Sequence, residues 1–153
     1  MLPKQRGLYF EEFAPGQTLT SPARTITEAD VVAFASLSGD WSSIHTDAVY
    51  AAQQPYGRRI AHGLLGLSVS VALALRQGFL EGTILAFREI QDWKFSLPIF
   101  LGDTIHMQGS VVETRSTPRL GGGLVTLDVE ILNQKDDILQ RGRWSILVMS
   151  RPT

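Results

Sequence analysis

Gly63-Leu64-Leu65-Gly66-Leu67-Ser68-Val69-Ser70-Val71-Ala72-Leu73-Ala74-Leu75 is the most apolar stretch of the chain, and its helical pattern extends to Phe79. Leu, Val and Ala fall on nearly every side of a helix of this sequence, and a helix apolar nearly all round is a buried one. The small residues Gly66, Ser68, Ser70, Ala72 and Ala74 let a neighbour pack very closely on it. Two serines and a second glycine interrupt the run, which is well short of the ~20 residues a membrane span requires. The reading is therefore a core helix, with no membrane partner expected.

Sheet follows this helix. Ile105, Met107, Gly109 and Val111 alternate with Thr104, His106, Gln108 and Ser110, and Val125, Leu127, Val129 and Ile131 alternate with Thr126, Asp128 and Glu130. A period of two is the mark of a strand with one buried face. Gly121-Gly122-Gly123 and Lys135-Asp136-Asp137 stand where hairpin turns belong. Further strands are expected over 83–97, ending before Pro98, and over 138–149. Upstream, the segment 9–25 should contribute a strand ending near Thr25. Thr27 suits a helix N-cap, with Glu28 and Asp30 in the first turn. Val31, Val32, Phe34, Ala35 and Leu37 supply that helix's apolar face, Ser38-Gly39 ends it, and a short helix fits 47–53. Helices first and an antiparallel meander second make an α+β domain, one buried helix against a curved sheet. No repeat or linker divides the chain, so residues 1–153 are read as one domain.

Composition narrows the function. Fourteen basic and fifteen acidic residues leave a net charge of −1, and no basic stripe stands out, which argues against nucleic acid as a partner. The absence of cysteine excludes disulfides, thiolate metal sites and a cysteine nucleophile, and fits a reducing compartment. The first seven residues lack the apolar run of a signal peptide, so the expected location is cytoplasmic. No metal is expected, because no His, Asp and Glu recur at ligand spacing. Phosphate-binding glycine loops and a Gly-x-Ser-x-Gly elbow are missing as well, and no cofactor is predicted.

The segment with chemistry in it is Ser38-Gly39-Asp40-Trp41-Ser42-Ser43-Ile44-His45. It sets a carboxylate and an imidazole five residues apart on a loop after a helix, where glycine permits a sharp turn. Such a pair suits acid–base work, since each group perturbs the other and one holds water while the other delivers a proton. From spacing alone, Asp40 capping a turn beside a surface His45 is an equally good reading. Ile60-Ala61-His62-Gly63-Leu64 adds weight. A helix that begins at glycine offers unpaired N–H groups and a positive dipole end to a carbonyl oxygen. Taken by itself, Gly63 is more simply a packing glycine. His62 reads as a helix-end residue bonded to backbone, and His106 as a solvated strand residue.

These segments, in this order, resemble the MaoC-like dehydratase family, which includes the (R)-specific enoyl-CoA hydratases. Phe95-Ser96-Leu97-Pro98-Ile99-Phe100-Leu101-Gly102-Asp103-Thr104 is similar to that family's strand-and-turn signature, so the likeness covers nearly the whole chain. The resemblance implies a hot-dog fold, a long central helix wrapped by antiparallel sheet, paired into a homodimer or a higher assembly of dimers. It implies a lyase acting on a trans-2-enoyl thioester of CoA or acyl carrier protein. Asp40 and His45 would then grip one water, and Gly63 N–H would hold the thioester oxygen. Trp41, Ser43, His62, Leu64, Arg58 and Arg59 are the expected substrate contacts.

Two departures stand out. The family usually carries Asn-Pro where Ser42-Ser43 stand here, which frees the loop and implies weaker activity or an unusual substrate. A serine that some members place beyond the oxyanion glycine has no certain match, although Ser68 and Ser70 are near. Two rivals follow: a hot-dog thioesterase, disfavoured because no Asp or Glu lies between Gly63 and Gln77, and a non-catalytic subunit that binds acyl thioesters.

Overall fold

The computed structural model describes residues 7–152. Strands β1 (Thr18–Thr20) and β2 (Arg24–Thr25) precede helices α1 (Glu28–Ser38), α2 (Ser43–Thr46), α3 (Ala48–Ala52) and α4 (Gly63–Leu75). Then come β3 (Ile84–Phe95), β4 (Thr104–Thr117), β5 (Gly122–Leu132) and β6 (Ile138–Met149). The strands pair antiparallel in the order β1-β4-β5-β6-β3, and β2 pairs with β4 as well. This is the helices-then-meander arrangement that the sequence implies, with α4 as the central helix of a hot-dog fold.

Period-two burial appears where alternation predicts it. Ile105, Met107 and Val111 of β4 and Val125, Leu127, Val129 and Ile131 of β5 all face inward. Leu67 and Ala74 of α4 join Met107, Leu127 and Trp144 in one apolar cluster, while Leu65, Val69 and Leu73 join Ile105, Ile131 and Leu139 in another. The sheet therefore closes on α4 along its length. No helix among the described residues is long and apolar enough to cross a membrane.

Thr27 caps α1 reciprocally: its hydroxyl accepts from Asp30 N, and Asp30 Oδ2 accepts from Thr27 N at 2.8 Å. Only one side of that helix is covered. Val31 and Ala35 are buried, whereas Val32 and Leu37, expected on the same apolar face, are exposed. The central helix also differs from expectation. It ends at Leu75, and Gly78, at φ 76°, turns the chain before Phe79. Its burial is incomplete as well, because Leu64, Ser68, Ala72 and Leu75 form an open stripe at helical spacing. At the β4–β5 hairpin, only Gly121 serves the turn, at φ 76°, after a short 3-10 turn over Pro118–Leu120. Gly122 and Gly123 lie in β5, where a Cβ would stand 1.8 Å from Val148 O and 2.3 Å from the Phe10 ring.

The turn after β3 braces the start of α4. Asp103 Oδ2 accepts from Phe100 N at 2.8 Å, and its Oδ1 accepts from Gln134 Nε2 at 3.0 Å. Ile99 O in turn accepts from Ala61 N at 2.7 Å, beside an Ile60–Phe100 bridge. On the other side Gln140, only 1% exposed, donates from Nε2 to Gly63 O at 2.9 Å. Its Oε1 accepts from Trp93 Nε1 at 3.2 Å. A buried amide is tolerable only when both ends are bonded, as they are here.

Gly66 makes room for this clamp, since a Cβ there would lie 2.3 Å from Ile99 Cδ1 and 2.8 Å from Gln140 Nε2. Alanine is favoured over glycine in a helix interior by about 1 kcal/mol, but overpacking a filled core costs about 1–3 kcal/mol. Gly66→Ala is therefore expected to lower the urea-unfolding midpoint despite the better propensity. An unchanged or raised midpoint would show that the clamp yields freely.

Candidate active site

Gly39, in the left-handed region at φ 78°, stops α1 and sends the chain outward. The next residue, Asp40, is held by its neighbours: Ser38 Oγ accepts from Asp40 N at 3.2 Å, and Ser42 donates both its N–H, at 3.1 Å, and its hydroxyl to Asp40 Oδ1. The single turn α2 then carries His45 back toward Asp40. Thr46 Oγ1 donates to Trp41 O and Ser42 O, at 3.0 and 3.1 Å, and fixes that turn in the place where the family's proline would stiffen it. The loop that Ser42-Ser43 was expected to free is thus tied by other groups.

His45 Nδ1 lies 2.7 Å from Ile60 O. A carbonyl only accepts, so Nδ1 carries the hydrogen and Nε2 is left to face Asp40 Oδ2 at 3.9 Å. That separation is too long for a direct hydrogen bond, yet it suits two atoms that each lie roughly 2.8 Å from one shared oxygen. His62 completes the group. Its Nε2 donates to Asp40 O at 2.9 Å and stands 4.0 Å from Oδ2, and its ring lies against His45 at 3.9 Å between centroids and Phe34 at 5.0 Å. The side chains are 46% exposed for Asp40, 12% for His45 and 3% for His62, so the carboxylate opens to solvent while the imidazoles back it. The Ser42 hydroxyl, then the Ser42 N–H, then the two imidazoles hold the Asp40 carboxyl below its usual range, and slight burial opposes them. Asp40 is thereby kept ionised.

Asp40, His45 and His62 place ligand-type atoms within 4.8 Å of one another, a cluster that linear spacing conceals and that corrects the reading of no metal-like grouping. His62 Nε2, however, spends its hydrogen on Asp40 O. With that nitrogen spent and His62 Nδ1 buried without a hydrogen-bond partner, Asp40 and His45 are the two residues left to face the gap, short of the three protein ligands usual for catalytic zinc.

Gly63 opens α4 directly after His62. The His62 carbonyl accepts from Leu65 N at 3.1 Å and Gly66 N at 3.3 Å, which polarises the peptide whose other end is Gly63 N–H. A Cβ at Gly63 would meet the Phe95 ring at 2.7 Å, so packing also requires glycine here.

The other expected substrate contacts divide. Trp41, Ser43 and Leu64 are exposed around the group. Arg58 lies over the Phe100 ring at 3.8 Å. Arg59 is paired through both terminal nitrogens with Glu28, one of them at 2.9 Å. Ser68 and Ser70 both donate back to carbonyls of α4, those of Leu64 and Gly66, and Ser70 is fully buried. The residues that the sequence reading missed are Gln140, Trp93 and Phe95. A lone glycine at 66 within a helix was the one available signal of a close neighbour. A concavity of about 810 Å³ lies on the outer face of the sheet between residues such as Thr18, Gln108 and Arg141, and does not include Asp40, His45 or Gly63.

Known proteins resemble this chain in sequence and in fold. The 3-hydroxybutyryl-CoA dehydratase of Methylorubrum extorquens is 37% identical over 142 residues, covering 86% of this chain and 87% of that one. The Protein MaoC of Klebsiella aerogenes is 39% identical over 100 residues, 65% of this chain, but the match spans only 29% of that longer protein. A crystal structure from Archaeoglobus described as a monoamine oxidase regulatory protein superposes with a TM-score of 0.88 at 31% identity, covering 96% of this chain and 97% of the other. The profile of the family described as MaoC like domain matches residues 11–130, and the chain belongs to that family.

Proposed function

We propose that the chain is a lyase that adds water to a trans-2-enoyl thioester, or removes it from the (R)-3-hydroxyacyl thioester. The observation that carries this reading is the 3.9 Å gap between Asp40 Oδ2 and His45 Nε2, beside the first turn of α4. One water held in that gap has its oxygen directed by two partners. Asp40 accepts a proton from it as the oxygen bonds to C3. The C2=C3 electron pair moves toward the thioester, whose carbonyl oxygen becomes enolate-like against Gly63 N–H. A donor of that kind contributes about 3 kcal/mol to a transition state. His45, entering the cycle with a hydrogen on Nε2 as well as on Nδ1, supplies the hydrogen that ends on C2. The pair resets when the proton on Asp40 passes to His45 through the next bound water. Dehydration is the same path in reverse.

The substrate carrier is CoA or acyl carrier protein, with Trp41, Ser43 and Leu64 nearest the reacting atoms and Arg58 and Arg59 the cations for a phosphate. His62 serves the site through the Asp40 main chain and the His45 ring. The reaction is placed in the cytoplasm, in keeping with a chain that has no cysteine. Crotonyl-CoA hydration tests the reading directly. Asp40→Asn and His45→Ala are each expected to reduce the rate by about 10²–10⁴-fold. Because the Asp40 carboxyl is held below its usual range, the wild-type rate should persist into mildly acid solution and fall only as pH drops through that depressed value. Hydrolysis of acyl-CoA without hydration would instead establish a thioesterase. Acyl-CoA binding with turnover indifferent to both substitutions would establish a binding subunit.

Assembly into a homodimer is part of the proposal. The long strand β3 ends the sheet, and an open edge of 12 residues invites pairing. Phe95 and Leu97 at its end, and Leu64 on α4, are about half exposed, at 54%, 48% and 59%. A second copy laid along β3 would cover them and supply the missing wall of the site. Sedimentation should give twice the chain mass, and a monomer at micromolar concentration would remove this part of the reading.

A further inference from the structure

Ser42 occupies the N-cap of α2, where a serine hydroxyl normally accepts a backbone N–H of the first turn. Its side chain makes no such bond. The turn closes through the backbone instead, His45 N donating to Ser42 O at 2.9 Å. The Ser42 hydroxyl points back to Asp40 Oδ1, and Ser42 N–H meets the same oxygen at 3.1 Å. The other carboxylate oxygen, Oδ2, is the one 3.9 Å from His45 Nε2 and 4.0 Å from His62 Nε2. A carboxylate on a surface loop, 46% exposed, has two equivalent oxygens and a freely turning terminal torsion. Two donors on one oxygen remove that freedom.

We propose that Ser42 is a positioning residue, which by donating twice to Asp40 Oδ1 aims Oδ2 at the imidazole pair. This rests on the reading of Asp40 as the proton acceptor and explains how the site works without the Asn-Pro that the family usually carries. Ser42 does not touch the reacting atoms. The charged and titratable groups that face Asp40 are His45 from α2 and His62 ahead of α4, and both distances depend on which oxygen Ser42 holds. The same hydroxyl is the largest influence holding the carboxyl below its ordinary range.

The test compares Ser42→Ala, which keeps the backbone N–H, with Ser42→Thr, which keeps both donors. The Ala variant should lower kcat for crotonyl-CoA hydration about 10- to 100-fold, the scale of a displaced catalytic group, with KM little changed. Its acid limb should move to higher pH, and the Thr variant should restore both. In parallel, the Asp40 carboxyl carbon is titrated by NMR, and its midpoint should rise in the Ala variant and return in the Thr variant. A wild-type kcat and an unmoved carboxyl midpoint in Ser42→Ala would overturn the proposal. If the wild type hydrates nothing, the lyase reading fails, while the carboxyl titration alone still decides whether Ser42 holds Asp40. Matching thermal unfolding of the variants would show that a lost fold does not account for the change.

Discussion

The hydrogen bond from His62 Nε2 to the Asp40 carbonyl joins the two halves of the site. Asp40 stands on a loop leaving α1, whereas Gly63 begins α4, and nothing in the covalent chain fixes one against the other across the intervening residues. His62 does so from inside the protein, 3% exposed, with its ring against both His45 and Phe34. A second bond of the same kind, His45 Nδ1 to Ile60 O, ties α2 to the segment that leads into α4. Each uses a main-chain carbonyl as the fixed partner, and a carbonyl cannot exchange its role as acceptor. The tautomers of both rings follow, and with them the side of His45 that faces the carboxylate.

Those two bonds hold only if the start of α4 is itself immobile, and the sheet provides for that. Ile99 O receives Ala61 N on one flank, and buried Gln140 grips Gly63 O on the other. Gln140 is in turn set by Trp93. Through this buried amide, bonded at both ends, β6 is tied to the first turn of α4. Gly66 belongs to the same device, since any side chain there would occupy the space of the amide.

Much of this was legible in the residues themselves. Period-two alternation located β4 and β5, the Thr27 cap located α1, and the spacing of Asp40 and His45 after Gly39 marked a loop whose two side chains converge. What the residues concealed has physical causes. A helix apolar nearly all round reads as fully buried, but periodicity cannot tell burial against the chain's own sheet from burial against another molecule, and α4 leaves Leu64, Ala72 and Leu75 open. Gln140 carries no local signal, since its partners are 77 and 47 residues away. The grouping of His62 with Asp40 and His45 spans three segments and becomes visible only when the chain is folded. The pairing of Arg59 with Glu28 was hidden for the same reason, since the two lie 31 residues apart.

The replacement of Asn-Pro by Ser42-Ser43 shows how one constraint can be met in two ways. Proline at the first position of a helical turn presets its dihedral, and without it the turn needs another fastening. Thr46 supplies that fastening by reaching back to Trp41 O and Ser42 O at once. With the turn held from its far end, Ser42 is released from capping duty and its hydroxyl is available to the carboxylate. The cost of losing proline falls on the unfolded chain, which gains freedom, rather than on the folded site, whose dihedrals are set by the same hydrogen bonds throughout. Stability and geometry therefore separate at this loop: the unfolded chain is freer without proline, while the orientation of the Asp40 carboxylate is set by the serine that donates twice to its Oδ1.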